Sequence, residues 1–252
     1  MFCSLRIAMK PDAFEDYARR IGAMGIDEVG TRLGHPPGRA TATPTNGRLI
    51  SWFWDQARRR AMSFHLSFDD GPGPSTPHLL DVLREASCAA TFFVLGCHLE
   101  QAPEMAARIV REGHRLGNHT WTHARPGALT DAALIDEIAA TDALIRAAHR
   151  LAELPPPDAI ALRLPYGLQP DDPRAAVLAR LSREHTGWSA ILDDWQHPPP
   201  APQVLCAAMR EHLAEQHAMQ RDVLFCLHDG SRHGEARPAT VEAVRLFLQT
   251  AR

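Results

Sequence analysis

From Met62 onward short apolar runs alternate with longer amphipathic stretches, and this rhythm constrains the fold more than any other feature of the chain. MSFHLSF, ATFFVLG, LGNHT, DAIALRLP, HTGWSAIL and DVLFCLH each have the length and composition of a strand. Between them lie TPHLLDVLREAS, PEMAARIVREGH, ALTDAALIDEIAATDALIRAAHRL, PRAAVLARLSREH and APQVLCAAMREHLAEQ, with ATVEAVRLFLQTA last. Each of these places apolar residues three or four apart, as a helix with one buried face requires. Strands alternating with helices predict an α/β fold built on a mostly parallel sheet. Periodicity alone does not separate an open sheet from a closed barrel.

Polar motifs sharpen the reading. SFDDGP, GNHTWTH, LRLPYG, DDW and LHDG all fall at or just after predicted strand ends. In βα architectures those ends share one face, where sites are built.

Residues 1–61 have a different texture and are read as an appendage to a domain covering 62–252. A short helix is predicted over DAFEDYARRIGAMG, then a Pro/Gly/Thr-rich loop from His35 to Arg48. The aromatic patch at Trp52, Phe53 and Trp54 would dock on the main body or present a protein interface.

Composition excludes some function classes. A net charge of -3 gives no reason to expect a nucleic-acid partner, and no run reaches membrane-spanning length. Five cysteines without CxxC spacing argue against a disulfide framework, and the N-terminus turns charged before a signal-peptide core forms. A cytoplasmic protein, monomeric or weakly oligomeric, is the expectation.

The chemistry starts from two adjacent aspartates. Like charges side by side repel unless something positive holds one or the two do different work. His119 and His123, four residues apart, reach one ion; with Asp70 they form a two-histidine, one-carboxylate set that leaves coordination positions open. Asp69 would then be free to take a proton from water at that ion. The alternative is plainer: a solvated turn at SFDDGP and a chance histidine pair in a chain with 14 histidines.

Taken in order, SFDDGPGPSTPHLLDVL, GNHTWTH, RLPYG, DDW and LHDG resemble the five motifs of the polysaccharide deacetylase family, the NodB-homology group of carbohydrate esterases. The likeness runs from about Phe64 to about Leu248. It implies a distorted (β/α) barrel and one divalent metal, zinc with cobalt or nickel as replacements, that removes the N-acetyl group of an amino sugar. By the resemblance Asp69 is the general base; Asp70, His119 and His123 hold the metal; Arg163 holds the base. Pro165 and Tyr166 border the substrate, with the Tyr166 backbone N–H on the oxyanion. Trp195 walls the sugar groove and His228 is the general acid.

Two positions depart from the family pattern. In GWSAILDDW the place three residues after Trp188 holds Ile191, where relatives carry an aspartate associated with orienting the catalytic histidine. Asp193 or Asp194 must then reach His228; Asp194 is the better candidate, because Asp193 on an extended chain faces the other way. Cys226 stands where relatives place a leucine lining the acetyl pocket. The expected substrate is an N-acetylglucosamine-containing oligosaccharide or biosynthetic intermediate. A non-sugar amide or N-formyl hydrolase, and a catalytically reduced, metal-bearing carbohydrate-binding protein, are the alternatives.

Overall fold

The computed structural model describes residues 64–250; the predicted appendage, with its helix and tryptophans, lies outside the described residues. Five strands, β1 (Phe64–Gly71), β2 (Ala90–Val94), β3 (Arg115–Asn118), β4 (Ala190–Ile191) and β5 (Val223–His228), form one sheet in the order β3-β2-β1-β5-β4. Every pairing is parallel. Helices α1 (Thr76–Glu85), α2 (Gly96–Gln101), α3 (Pro103–Arg111), α4 (Asp131–Leu151), α5 (Arg174–Arg180), α6 (Pro202–Ala218) and α7 (Pro238–Thr250) fill the connections.

The sheet closes on itself through one short segment. Beyond β3, Asn118 bridges to Leu162 and Leu162 to His185, while at the other edge β4 pairs with β5. His185 and Ala190 are therefore two ends of a single stretch that touches both edges. Thr186 donates its N–H to Leu162 O at 2.7 Å and Ser189 donates to Leu224 O at 3.0 Å. The result is a barrel with weak, irregular staves on one side, the distorted closure expected of this motif set.

Two predicted elements differ here. DAIALRLP is not a regular strand; Leu162 alone bridges on both sides, because Pro155 to Pro157 and Pro165 flank it with residues that cannot donate to a ladder. HTGWSAIL reduces to a bridge at His185 and the two residues of β4. The helix predicted over PRAAVLARLSREH runs only from Arg174 to Arg180, and α2 was not predicted. Its six residues, GCHLEQ, are too few to show a period.

Alternation along the strands sorts the chemistry. Leu66 and Phe68 of β1, and Phe225 and Leu227 of β5, pack into the main core with Leu79, Leu80, Val244 and Phe247 from α1 and α7. The intervening Ser67 and Asp69 of β1, and Cys226 and His228 of β5, turn to the barrel interior. A smaller cluster of Leu134, Ile138, Leu162, Leu164 and Val177 seals the irregular side. Burial of these apolar side chains, at about 25 cal/mol per Å² removed from water, drives the closure. Among the described residues no helix is long and apolar enough to cross a membrane.

Candidate active site

Neighbouring residues on a regular strand point to opposite faces, so Asp69 and Asp70 should not share a site. The β1–β2 register slips between Asp69 and Gly71, and Asp70 takes φ = 70°. This bulge turns the second carboxylate to the same side as the first. Gly71 permits it: a Cβ there would collide with the Asp229 carboxylate. His98, from α2, holds the bulge by its Nδ1, 2.9 Å from Asp70 O.

GNHTWTH leaves β3 as a loop whose shape is fixed by side chains. Asn118 Nδ2 donates to Ile138 O at 2.8 Å and Asp142 Oδ1 at 2.7 Å, and Asn118 Oδ1 accepts the Thr120 N–H at 2.8 Å. The Glu137 carboxylate accepts the N–H groups of Trp121 and Thr122 at 2.9 and 3.1 Å. Thr120 and His123 take φ = 65° and 56°, unusual for non-glycine residues. Strained residues concentrated at one loop are what a built site shows.

The loop delivers both histidines to Asp70. His119 Nε2 lies 3.4 Å and His123 Nε2 3.2 Å from Asp70 Oδ1. A tetrahedral centre with bonds of about 2.0–2.1 Å separates its nitrogen and oxygen ligands by about 3.4 Å. His119 Nδ1–H donates to Arg163 O at 2.8 Å, which in the neutral ring leaves Nε2 as a lone pair aimed at the carboxylate. Burial outweighs the pull of the Asp70 carboxylate and lowers the His123 pKa to about 4, so the His123 ring is uncharged at neutral pH. Burial would raise the Asp70 pKa, yet the imidazoles of His119, His123 and His228 hold it well below the usual carboxylate range. Asp70 Oδ1 is buried without a hydrogen-bond partner. Acceptors facing one another at these separations fit a shared cation, and the three residues suit zinc or a similar ion.

Arg163 stands behind Asp69 and is completely buried. Its Nη1 donates to Asp69 Oδ1 at 2.6 Å and to Ser67 Oγ at 2.9 Å. Its Nε and Nη2 reach Thr186 O and Gly187 O, both at 3.0 Å. The guanidinium stacks 4.0 Å from the Phe93 ring centroid. One side chain therefore holds the Asp69 carboxylate and ties down the segment that closes the barrel.

On the far side, His228 Nδ1 lies 2.8 Å from Asp194 Oδ1. Asp194 Oδ2 accepts the His228 N–H and the Thr240 hydroxyl, each at 2.8 Å. Burial opposes charge on His228, but Asp194, then Asp70 and Asp69, prevail and raise its pKa to about 9. Ile191, by contrast, is 47% exposed. The carboxylate that meets the histidine ring is thus that of Asp194, while the side chain at 191 faces solvent. Asp193 is exposed as well.

Pro165 occupies the second place of the turn Leu164–Gly167, closed by the Gly167 N–H on Leu164 O at 3.1 Å, with Tyr166 at φ = 64°. The Tyr166 ring meets His123 edge-on at 4.7 Å and lies under the Arg125 guanidinium at 5.2 Å. Arg174 holds the turn through Pro165 O and Gly167 O, at 2.9 and 2.7 Å. Trp195 is 48% exposed beside buried Asp194. Cys226 is buried with Sγ 3.5 Å from Asp69 Oδ2 and 3.6 Å from Arg163 Nη1, so its thiol faces the base.

Sequence reasoning did not single out Ser67, His98, Glu137, Thr240 or Asp229. Asp229 belongs to the LHDG motif and is fully buried against the Thr76 hydroxyl, which donates to its Oδ2. Burial, then the Asp70 charge, raises its pKa to about 7 despite that bond.

Comparison with known proteins places this geometry. The polysaccharide deacetylase profile matches residues 56–181, which carry Asp69, Asp70, both histidines, Arg163 and Tyr166. A chitooligosaccharide deacetylase of Bradyrhizobium sp. (strain ANU 289) is 35% identical over 71% of this chain and 75% of its own. A second, from Sinorhizobium fredii (strain NBRC 101917 / NGR234), is 36% identical over 55% of this chain and 62% of its own. A family 4 carbohydrate esterase from Streptomyces lividans, solved with acetate, superposes with a TM-score of 0.59 at 26% identity, covering 74% of this chain and 86% of that one. The profile spans the first three of the five motifs, the sequence relatives and the barrel agree with it, and the chain belongs to the polysaccharide deacetylase family.

Proposed function

We propose that this protein is a divalent-metal-dependent N-deacetylase acting on N-acetylglucosamine units of a chitooligosaccharide or a related biosynthetic intermediate. The observation that carries the reading is the pairing of a base and an acid across one ligand set. Asp69, clamped by Arg163, and His228, clamped by Asp194, are register partners on β1 and β5, and Asp69 Oδ2 lies 3.8 Å from His119 Nε2. The names of the rhizobial relatives support the substrate class.

A divalent ion held by Asp70, His119 and His123 would polarise the amide carbonyl and lower the pKa of the attacking water. Asp69 Oδ2 would take the proton from the attacking water, while Arg163 on Oδ1 fixes the carboxylate in place. The Tyr166 backbone N–H, on a turn held at φ = 64°, would donate to the oxygen that gains charge. An amine leaves poorly unless protonated, and His228, charged at neutral pH through Asp194, donates from its Nε2. Trp195 offers an aromatic face to a sugar ring.

The test uses purified full-length chain with zinc or cobalt and a series of N-acetylglucosamine oligomers. Acetate release is expected, falling at least about 100-fold in Asp69→Asn. Metal analysis of the same preparations should show one ion per chain, lost in His119→Ala. Turnover unchanged by Asp69→Asn, or full metal content in His119→Ala, would remove the assignment.

A further inference from the structure

Cys226 has no role in the reaction above, although its thiol is buried within reach of the catalytic base. β1 and β5 pair in register with Asp69 opposite His228, and Cys226, two residues earlier on β5, shares their face. Ligand atoms of Asp69, Cys226 and His228 all lie within 4.8 Å of one another. His228 Nδ1 is held by Asp194, which leaves Nε2 to bind.

We propose that Asp69, Cys226 and His228 form a second, inhibitory site for a thiophilic divalent cation such as zinc or cadmium, separate from the set at Asp70, His119 and His123. A tetrahedral centre with a sulfur bond of about 2.3 Å and an oxygen bond of about 2.1 Å sets those ligands about 3.6 Å apart. Cys226 Sγ and Asp69 Oδ2 are 3.5 Å apart before any ion enters. Burial and the Asp69 charge hold the Cys226 thiol well above its ordinary pKa, against the weaker pull of Arg163 3.6 Å from Sγ, so the incoming ion itself must displace the thiol proton. Asp69 Oδ2 also lies 3.8 Å from His119 Nε2, so this carboxylate borders both ligand sets.

The chemistry balances without an oxidant. The thiol S–H bond breaks, sulfur keeps the electron pair and binds the cation, and the proton leaves for solvent. The Nε2 proton leaves with it where the His228 ring is an imidazolium. An ion there occupies both base and acid, so it stops turnover without disturbing the first site. A leucine at this position supplies no ligand, which confines the device to chains with a sulfur or oxygen here. The inhibition rests on the proposed deacetylase reading; the binding does not.

The experiment titrates cadmium into full-length protein carrying one equivalent of zinc per chain, following thiolate-to-cadmium charge-transfer absorbance and metal content. Wild type is expected to take one further equivalent with a charge-transfer band. Cys226→Ala should lose both, and Cys226→Ser, closer in shape, should lose the band if the alanine variant folds poorly. Binding at other cysteines persists in the variants and cancels in the difference. Identical bands and stoichiometry in wild type and both variants would overturn the site. A Cys226-dependent band without inhibition of acetate release in wild type would overturn it as an inhibitory site. Absence of acetate release from every protein counts against the deacetylase reading, while the cadmium difference still decides the site.

Discussion

Asp194 holds His228 twice: Oδ1 faces the ring Nδ1 at 2.8 Å and Oδ2 accepts the residue's own backbone N–H at 2.8 Å. The pair fixes ring orientation and tautomer together, and Thr240 on α7 satisfies the remaining lone pair. Asp194→Asn keeps the shape and removes the charge. Because Asp194 is what raises the His228 pKa to about 9, its basic limb near pH 9 should move to lower pH in the variant. Turnover should fall by about 100-fold or more with a much smaller change in KM, as when the orienting carboxylate of a triad is neutralised. A pH–rate profile with an unmoved basic limb would show that the titrating acid is another group.

Ile191→Asp should do little. The side chain is 47% exposed and the histidine already has its carboxylate. A change in kcat/KM within about twofold is expected, in keeping with surface substitutions that cost under about 0.5 kcal/mol. A large gain would mean that Asp194 fails to charge the acid in solution.

Arg163→Lys separates two duties of one side chain. A lysine ammonium could still face Asp69, but it cannot also reach Thr186 O and Gly187 O, which Arg163 binds through Nε and Nη2. Loss of those bonds on the closing segment should destabilise the fold by about 2 kcal/mol in urea unfolding. Activity should fall further than stability predicts, since the base loses its fixed orientation. Unchanged stability would show that the 185–191 segment closes the barrel without the guanidinium.

That Asp69, Asp70, His119 and His123 would gather at one place was legible because they sit in contiguous motifs, the aspartates side by side and the histidines four apart. What put both aspartates on one face was not, since a bulge at a positive φ leaves no periodic trace. Asp194 was the favoured partner of His228 from its place in DDW, and the geometry adds that it lies 34 residues away in sequence. Thr240 had no sequence signal, because contacts across 46 residues depend on tertiary packing alone. The irregular side of the barrel was the least legible part. DAIALRLP has the composition of a strand, but its prolines and its position at the closure leave it a single bridging residue, Leu162.

Asp229 provides a test of the site's electrostatics through stability. Its folded pKa is raised from 3.8 to about 7, first by burial and then, against the Thr76 hydrogen bond, by Asp70. A raised pKa favours the protonated carboxyl, so this contribution to stability is fully present below about pH 4. It is lost as pH rises through about 7 and stays lost above that. Other carboxylates, Asp70 among them, have the opposite slope, so the informative quantity is the difference between wild type and Asp229→Asn. In chelated protein the variant should gain on wild type steadily between pH 4 and pH 7, and hold that gain at pH 8. Adding zinc should shrink the gain, because a cation on Asp70 offsets the repulsion that Asp229 experiences when charged. Thermal unfolding across that pH range, with and without zinc, measures both effects. A difference that does not vary with pH would mean that Asp229 is ionised throughout and that its buried oxygen has a partner in solution.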